Sequence, residues 1–225
     1  MKKLHPLLSV LFLIYLGCEE KQTEEVDTTP TEVTLWGVTY SVEDTDSLDL
    51  TFNDLTGSIP PEIELLTNLT YLNLGYNQLI GPIPSEIGNL TNLTGLSLND
   101  NLLTGSIPSE IGNLTNLTGL SLYDNQLTGS IPSEIWNLTN LTRLSLQDNQ
   151  LTGSIPIEIG NLTNLTYLTL YNNQLTETIP ESICDLNINW MYDYSFRIST
   201  NQFCPPYPSC IEDYVGEQDT SNCGD

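Results

Sequence analysis

The sequence predicts a solenoid, in which copies of one short coil stack and share a continuous hydrophobic interior. Three observations predict this fold class: a period of 24 residues, a Leu-x-Leu pair in every period, and an asparagine three residues after each pair. Self-similarity at a fixed spacing of this size is the signature of stacked repeat architectures. The asparagines that mark the period are Asn53, Asn77, Asn101, Asn125, Asn149 and Asn173.

Each Leu-x-Leu pair predicts a short β-strand with one buried face, since alternate side chains of a strand point to opposite sides. A single strand of this kind cannot bury its leucines alone, so neighbouring copies must stack in parallel around a shared core. The pairs are Leu48/Leu50, Leu72/Leu74, Leu96/Leu98, Leu120/Leu122, Leu144/Leu146 and Leu168/Leu170.

The asparagine is the polar exception on the buried side of each copy. Its carboxamide offers two donors and an acceptor, so we expect it to satisfy backbone groups where the chain turns away from the strand. An Ile-Pro step closes each copy, as at Ile107-Pro108 and Ile131-Pro132. Because proline removes a backbone donor, these steps are expected at an edge or on the convex side.

Together these positions spell L-x-x-L-x-L-x-x-N-x-L-T-G-x-I-P over residues 48–183. The pattern resembles the plant-specific class of leucine-rich repeats found in plant receptor kinase ectodomains and polygalacturonase-inhibiting proteins. The resemblance implies a leucine-rich-repeat solenoid of the α/β horseshoe type, mostly β, with a parallel β-sheet on the concave face and short 3-10 or helical segments on the convex face. It also implies that the asparagines form a ladder and that ligands bind to the concave face.

The expected organisation has five parts: a signal peptide at 1–17, an acidic tether at 18–33, an N-terminal cap at 34–46, six repeats at 47–183 and a cysteine-containing C-terminal cap at 184–225. The N-terminal cap contains Leu-Trp-Gly-Val-Thr-Tyr, which resembles the W-x-G-V-x-C cap of plant-type repeats. Tyr40 stands where that family has cysteine. The cap disulfide is therefore absent, and Trp36 is expected to seal the end by packing alone.

The N-terminus has the features of an export signal. Lys2 and Lys3 precede an apolar run at residues 7–16, which is too short to span a bilayer as a mature helix. The run leads into Gly17-Cys18, a junction that resembles a bacterial lipoprotein signal. The resemblance implies lipidation of Cys18, a membrane anchor through that lipid, and export to the outer membrane or cell surface. An ordinary secretory signal, followed by secretion, is the alternative.

The C-terminal segment contains the remaining four cysteines, Cys184, Cys204, Cys210 and Cys223. In an exported chain they imply two disulfides, for which three connectivities exist. The interpretation we favour joins Cys204 to Cys210 across a short proline-rich loop and Cys184 to Cys223. A zinc site is disfavoured because the spacing contains no Cys-x-x-Cys pair, so the sequence predicts no metal.

Charge and composition exclude several classes of function. The chain has 5 Lys and Arg against 29 Asp and Glu, a formal net charge of -24. Nucleic acid is excluded as a partner because binding to phosphates needs clustered cations. The only histidine is His5, inside the expected signal peptide, so the mature chain lacks the commonest general base and metal ligand. We therefore predict no cofactor and no enzymatic activity.

One catalytic alternative is a glycosidase that uses two carboxylates from adjacent repeats, such as Asp124 and Asp148. Retaining glycosidases place such groups about 5 Å apart, a distance that neighbouring strands provide. The alternative is disfavoured because the sequence shows no cleft, no apolar pocket to raise the pKa of an acid, and no auxiliary base.

Candidate ligand-binding residues occupy the outward positions of the predicted strands. Aspartates recur in successive repeats, and such a file of carboxylates either binds a cation or a Lys or Arg of a partner, or is simply solvated. Exposed tyrosines are able to stack on sugar rings or anchor a peptide. The candidate residues are Tyr76, Asn99, Asp100, Tyr123, Asp124, Arg143, Gln147, Asp148, Tyr167 and Tyr171.

The resulting hypothesis is a non-catalytic module that binds a protein or polysaccharide ligand on its concave face. It is expected to be displayed on a bacterial envelope through the lipid anchor at Cys18. A structural or adhesive surface protein is the alternative. A stack of short coils suits an extended ligand better than a small substrate in a deep pocket.

Overall fold

The structure is a computed structural model that describes residues 30–191 and 194–224. The predicted signal peptide at 1–17, the lipidation site Cys18 and most of the tether lie outside the described residues. Within the described part the chain is built almost entirely of short strands and single 3-10 turns.

The strands of the described residues begin with a hairpin and then alternate between two positions in each coil. In chain order they are β1 (Glu32–Leu35), β2 (Val38–Ser41), β3 (Ser47–Asp49), β4 (Thr56–Gly57), β5 (Tyr71–Asn73), β6 (Gln78–Gly81), β7 (Gly95–Ser97), β8 (Leu102–Ser106), β9 (Gly119–Ser121), β10 (Gln126–Ser130), β11 (Arg143–Ser145), β12 (Gln150–Gly153), β13 (Tyr167–Thr169), β14 (Gln174–Thr178), β15 (Phe196–Arg197) and β16 (Gln202–Cys204).

A 3-10 helix follows the second strand of each coil and begins directly after the proline of the Ile-Pro step. The proline therefore precedes the helix, where its missing N–H leaves no hydrogen bond unmade. The helices are Pro61–Leu65, Ser85–Asn89, Ser109–Asn113, Ser133–Asn137, Ile157–Asn161 and Glu181–Asp185.

The first sheet confirms the predicted parallel ladder. Its strands are β3, β5, β7, β9, β11, β13 and β15, all parallel, and equivalent residues of successive repeats lie opposite one another, as Leu96 opposite Leu120. Both leucines of each pair point inward, as shown by Leu120 and Leu122, which are 1% and 0% exposed. The outer side of this sheet is the surface predicted as the concave face.

The second sheet was not predicted. The stretch after each ladder asparagine, which is Leu-Thr-Gly in four of the six repeats, forms a strand. Within the described residues, β4, β6, β8, β10, β12, β14 and β16 of the cap make another seven-stranded parallel sheet. Its register differs from that of the first sheet, because Leu127 lies opposite Gly105 and not opposite Leu103. This offset arises from how one coil sits on the next, which a repeat period does not encode.

The asparagine ladder connects each coil to the one before it. The Nδ2 of Asn125 donates to the carbonyl oxygens of Leu98 (3.0 Å), Leu122 (3.2 Å) and Tyr123 (3.2 Å), and its Oδ1 accepts from the Leu103 N–H at 3.0 Å. Each ladder asparagine therefore satisfies backbone groups of two coils at once. The side chains that repeat this pattern are those of Asn77, Asn101, Asn149, Asn173 and Asn201.

The N-terminal cap is the antiparallel hairpin β1–β2, which buries Val33 and Leu35 against the first coil. Trp36 lies at its turn, half-buried, and packs against the core as expected from the absence of a cap disulfide. Its indole nitrogen is buried and makes no hydrogen bond. The cap is therefore held by apolar contact and by the backbone pairing of the hairpin.

The disulfides of the C-terminal cap join Cys184 to Cys210 and Cys204 to Cys223. The interpretation favoured from the sequence, which joins Cys204 to Cys210 and Cys184 to Cys223, is wrong in both pairs. Cys204 ends β16, which pairs with β14 and so remains part of the second sheet. The proline-rich segment after it turns back over the last coil, and this brings Cys210 to Cys184 in the last 3-10 helix, with a Cα–Cα distance of 5.8 Å.

Replacing Asn125 by Ala is expected to lower the free energy of unfolding by about 3 kcal/mol or more. The substitution leaves the Leu103 N–H and three carbonyl oxygens without their partner, and an unsatisfied buried group costs about 1–3 kcal/mol. Chemical denaturation measures the effect. Asn113→Ala is the control, because Asn113 is an exposed asparagine at the end of a 3-10 helix. An equal loss in both variants would contradict the structural role of the ladder.

Peptide mapping of the non-reduced protein is expected to recover Cys184 joined to Cys210 and Cys204 joined to Cys223. Replacing Cys184 and Cys210 together by Ser should lower the free energy of unfolding by about 2–4 kcal/mol, since the link constrains the unfolded chain. Recovery of a peptide that joins Cys204 to Cys210 would contradict the described cap.

Candidate functional site

The concave face presents its side chains in rows, because residues one repeat apart lie opposite one another in the first sheet. One row runs from Tyr71 through Gly95, Gly119 and Arg143 to Tyr167. The large side chains of this row surround two glycines that are neighbours in space. The row therefore contains a gap in an otherwise occupied surface.

The gap is a recess of about 350 Å³, which we call the glycine recess. Gly95 and Gly119 form its floor, Tyr71 stands on one side, and Arg143 and Tyr167 stand on the other. The guanidinium carbon of Arg143 lies 5.3 Å from the centroid of the Tyr167 ring, a cation–π contact. Arg143 and Tyr167 were candidates from the sequence, and the structure brings them together.

Serine hydroxyls complete the lining of the glycine recess. Ser97, Ser121 and Ser145 lie one strand apart, next to the row of glycines. Ser97 donates to the Oδ1 of Asn99 at 2.6 Å. The recess thus offers a guanidinium, aromatic rings and hydroxyl groups within one small volume.

A second cluster, the aromatic platform, consists of Phe52, Tyr76 and Tyr123 at the end of the strands. The rings of Phe52 and Tyr76 are stacked, with centroids 4.4 Å apart, and the hydroxyls of Tyr76 and Tyr123 are 2.8 Å apart. Burial, followed by the hydrogen bond with Tyr76, strongly raises the pKa of Tyr123, so its hydroxyl stays protonated. Phe52 is not among the candidates from the sequence. Its position directly before Asn53, on the outward side of the repeat, could have identified it as an exposed aromatic residue.

The aspartate row lies where the chain leaves the strands and not within them. Asp100, Asp124 and Asp148 all have a positive φ, of 51°, 54° and 55°, a conformation that Asp and Asn tolerate better than most residues. Burial, together with the charges of the other two aspartates, raises the pKa of Asp124. Among residues 30–191 and 194–224, no group of three or more His, Cys, Asp or Glu is arranged to hold a metal ion.

Two candidate residues lie beneath the surface. Asn99 and Gln147 are 4% and 7% exposed. Gln147 accepts a hydrogen bond from the Thr169 hydroxyl, and Asn99 donates to Asp100. These hydrogen bonds tie both side chains to neighbouring residues of the concave face, and contact of Asn99 and Gln147 with a ligand stays a prediction.

The C-terminal end of the concave face carries a second arginine on a tyrosine. Arg197 of β15 lies over the ring of Tyr171, with its guanidinium carbon 4.4 Å from the centroid. Sequence reasoning missed Arg197, because it lies beyond the point where the period ends. Arg143 and Arg197 are the only Lys or Arg residues within the described part of the chain, and both lie on the first sheet.

Comparison with known families gives a clear match over the repeats. Models described as leucine-rich repeats match residues 45–66, 68–90, 91–151 and 139–183. No protein in a search of curated sequences matches the chain. Among the helices of the described residues, none has the length and hydrophobicity of a transmembrane segment.

Solved structures of plant receptors share the fold. The plant peptide hormone receptor RGFR1 in complex with RGF2 is 40% identical, with a TM-score of 0.66, over 72% of this chain and 25% of the receptor chain. The Arabidopsis receptor kinase HAESA, in complex with the peptide hormone IDA and the co-receptor SERK1, is 34% identical, with a TM-score of 0.68, over 77% of this chain and 28% of that one.

These two receptors are much longer than the present chain, which spans about a quarter of each. A pollen receptor kinase 3 structure is closer in size: it is 30% identical, with a TM-score of 0.61, over 71% of this chain and 76% of that one. Folds of this kind are generally non-catalytic modules that bind ligands. The repeats, the two parallel sheets and these matches show that the chain belongs to the leucine-rich-repeat family.

Proposed function

We propose that the protein is a non-catalytic recognition module whose concave face binds an extended segment of a partner protein. The observation that supports this most is the concentration of exposed aromatic and cationic side chains on one side of the solenoid. The aromatic platform lies there, and so do Arg143 and Arg197. The similar receptors RGFR1 and HAESA are complexes with peptide hormones, which favours a peptide segment as the ligand.

The dimensions of the concave face suit an extended chain. Seven strands make up the first sheet, and a spacing of about 4.8 Å between strands makes it roughly 29 Å long. An extended peptide covers about 3.3 Å per residue, so the face accommodates about nine residues. This length allows several side chains of one segment to contact the platform and the arginines together.

The aromatic platform supplies the anchor for such a segment. Phe52 is 72% exposed although its ring stacks on Tyr76, so binding removes a large apolar area from water at little cost in side-chain order. Exposed aromatic side chains of this kind dominate the energetics of many protein interfaces. The aspartate row beside the platform provides carboxylates for a Lys or Arg of the ligand.

The proposal includes export of the protein from the cytoplasm. The two disulfides and the extracellular receptors of similar fold indicate an exported protein. Anchoring to a bacterial envelope through a lipid on Cys18 is part of the proposal and is supported by Gly17-Cys18 and the apolar run before it. Polysaccharide binding and a purely adhesive role are the alternatives that the experiments below distinguish.

Selection with the purified protein should enrich specific sequences from a library of random peptides displayed between two flanking domains. Phe52→Ala should lower the affinity for the selected peptides at least tenfold. Loss of an aromatic anchor typically costs about 2 kcal/mol or more, and about 1.4 kcal/mol corresponds to a factor of ten. Calorimetry measures the affinity, and an unchanged melting temperature shows that the variant is folded.

Ile157→Ala is the matched control, since Ile157 is 70% exposed but begins a 3-10 helix outside the first sheet. Equal weakening by both substitutions would place the site elsewhere. Binding to a panel of purified polysaccharides without any peptide enrichment would overturn the proposed class of ligand.

Cys18→Ser is expected to move the protein from the membrane fraction to the soluble exported fraction in a Gram-negative host. The substitution removes the thiol that carries the lipid, and stable anchoring depends on buried acyl chains. Mass spectrometry of the N-terminus provides a second readout. A lipid-free wild-type N-terminus downstream of Cys18 would contradict the anchor and leave the secreted alternative.

A further inference from the structure

The glycine recess is a specific feature of this chain, because the repeat itself does not require small residues in that row. Equivalent positions in the same row are occupied by Ser47, Tyr71, Arg143 and Tyr167. An added Cβ on Gly95 would lie 2.8 Å from the Tyr71 ring, so that ring folds over the first glycine. An added Cβ on Gly119 would meet nothing within 4 Å. The space above Gly119 is therefore open to a group from outside.

Arg143 places a guanidinium beside this open space. Within the described residues the guanidinium contacts the Tyr167 ring, and no hydrogen bond or ion pair engages the N–H groups of the guanidinium. The ring restrains the planar head and leaves the edge of the guanidinium free. That edge is a fork of donors whose geometry matches a carboxylate. The hydroxyl of Ser145 on the same strand and that of Ser121 on the adjoining strand are further donors.

The overall charge makes such a site selective. The chain carries a formal charge of -24, so its long-range field attracts basic ligands and repels acidic ones. Screening confines that field to about 8 Å at physiological ionic strength. A preference for an acidic group at one position of a ligand therefore has to come from a nearby cation. At the glycine recess that cation is Arg143.

Resting on the proposed function, we infer that the glycine recess binds the side-chain carboxylate of an Asp or Glu within the partner segment. The recess lies in the middle of the first sheet, between β5 and β13, and strands continue on both sides of it. A segment that crosses the sheet therefore passes over the recess and extends beyond it in both directions. A side chain of such a segment is able to point down onto Gly119, whose surface is open.

The test uses the random peptides displayed between two flanking domains, which have no free terminal carboxylate. The wild-type protein should select peptides with Asp or Glu at one fixed position. In a synthetic peptide of the selected sequence, changing that residue to Asn or Gln should lower the affinity at least tenfold. The same change in the peptide should not affect its affinity for the Arg143→Gln variant. That variant already lacks the interaction between the guanidinium and the carboxylate, so removing the carboxylate has no further effect.

Three further variants show where on the concave face the preference for an acidic residue arises. Gly119→Phe should fill the recess and abolish the preference for an acidic residue, whereas Ser47→Phe, at the equivalent position of the first coil, should leave it unchanged. Arg197→Gln removes the other cation of the concave face and is expected to lower the overall affinity, but the preference for an acidic residue at the fixed position should persist. Melting temperatures equal to that of the wild type show that each variant is folded.

The outcomes separate the two proposals. If the wild-type protein selects no peptides, the proposed function fails. If it selects peptides without a fixed acidic position, or if the acidic residue is not coupled to Arg143, the proposed function stands and the assignment of the recess is wrong. Binding that requires a free C-terminal carboxylate on a synthetic peptide would also overturn the assignment to a side chain.

Discussion

The backbone N–H and C=O groups inside the solenoid must all find hydrogen-bond partners, and this requirement holds the stack of coils together. Each coil leaves the first sheet by turning inside a dry interior, where its N–H and C=O groups cannot bond to water. A ladder asparagine satisfies these groups in its own coil and in the coil before it, as Asn125 does for Leu122 and for Leu103. Every coil therefore needs its successor, and Asn201 of the C-terminal cap serves the last repeat.

This dependence separates the positions that maintain the fold from those that are free to vary. The leucines and the ladder asparagine point inward and are nearly the same in every repeat, whereas outward positions of one row hold residues as different as Gly119, Arg143 and Tyr167. A new side chain on the concave face changes the surface without disturbing the core. The scaffold therefore accepts many ligands, and its specificity resides in a few rows.

The candidate site was predicted only in part from the sequence. Counting from the ladder asparagine placed Arg143 and Tyr167 on one surface, because the row of a residue depends only on its position in the repeat. The same counting could not show that Asn99 and Gln147 are buried, since their exposure depends on how large the neighbouring side chains are. It also missed Arg197, because this residue belongs to the C-terminal cap, where the 24-residue period no longer applies.

The period, the strands of the first sheet, the inward leucines and the ladder could all be predicted from the amino-acid pattern, because each follows from a local motif that has one stable solution when it is stacked. The register of the second sheet, the pairing of Cys184 with Cys210 and the glycine recess became visible only in the folded chain. These features depend on how far one coil turns relative to the next and on which side chains then meet. They involve residues of different coils. The repeat pattern predicts which residues point into the core, but it does not predict how the outward side chains of neighbouring coils are arranged or where they leave a recess.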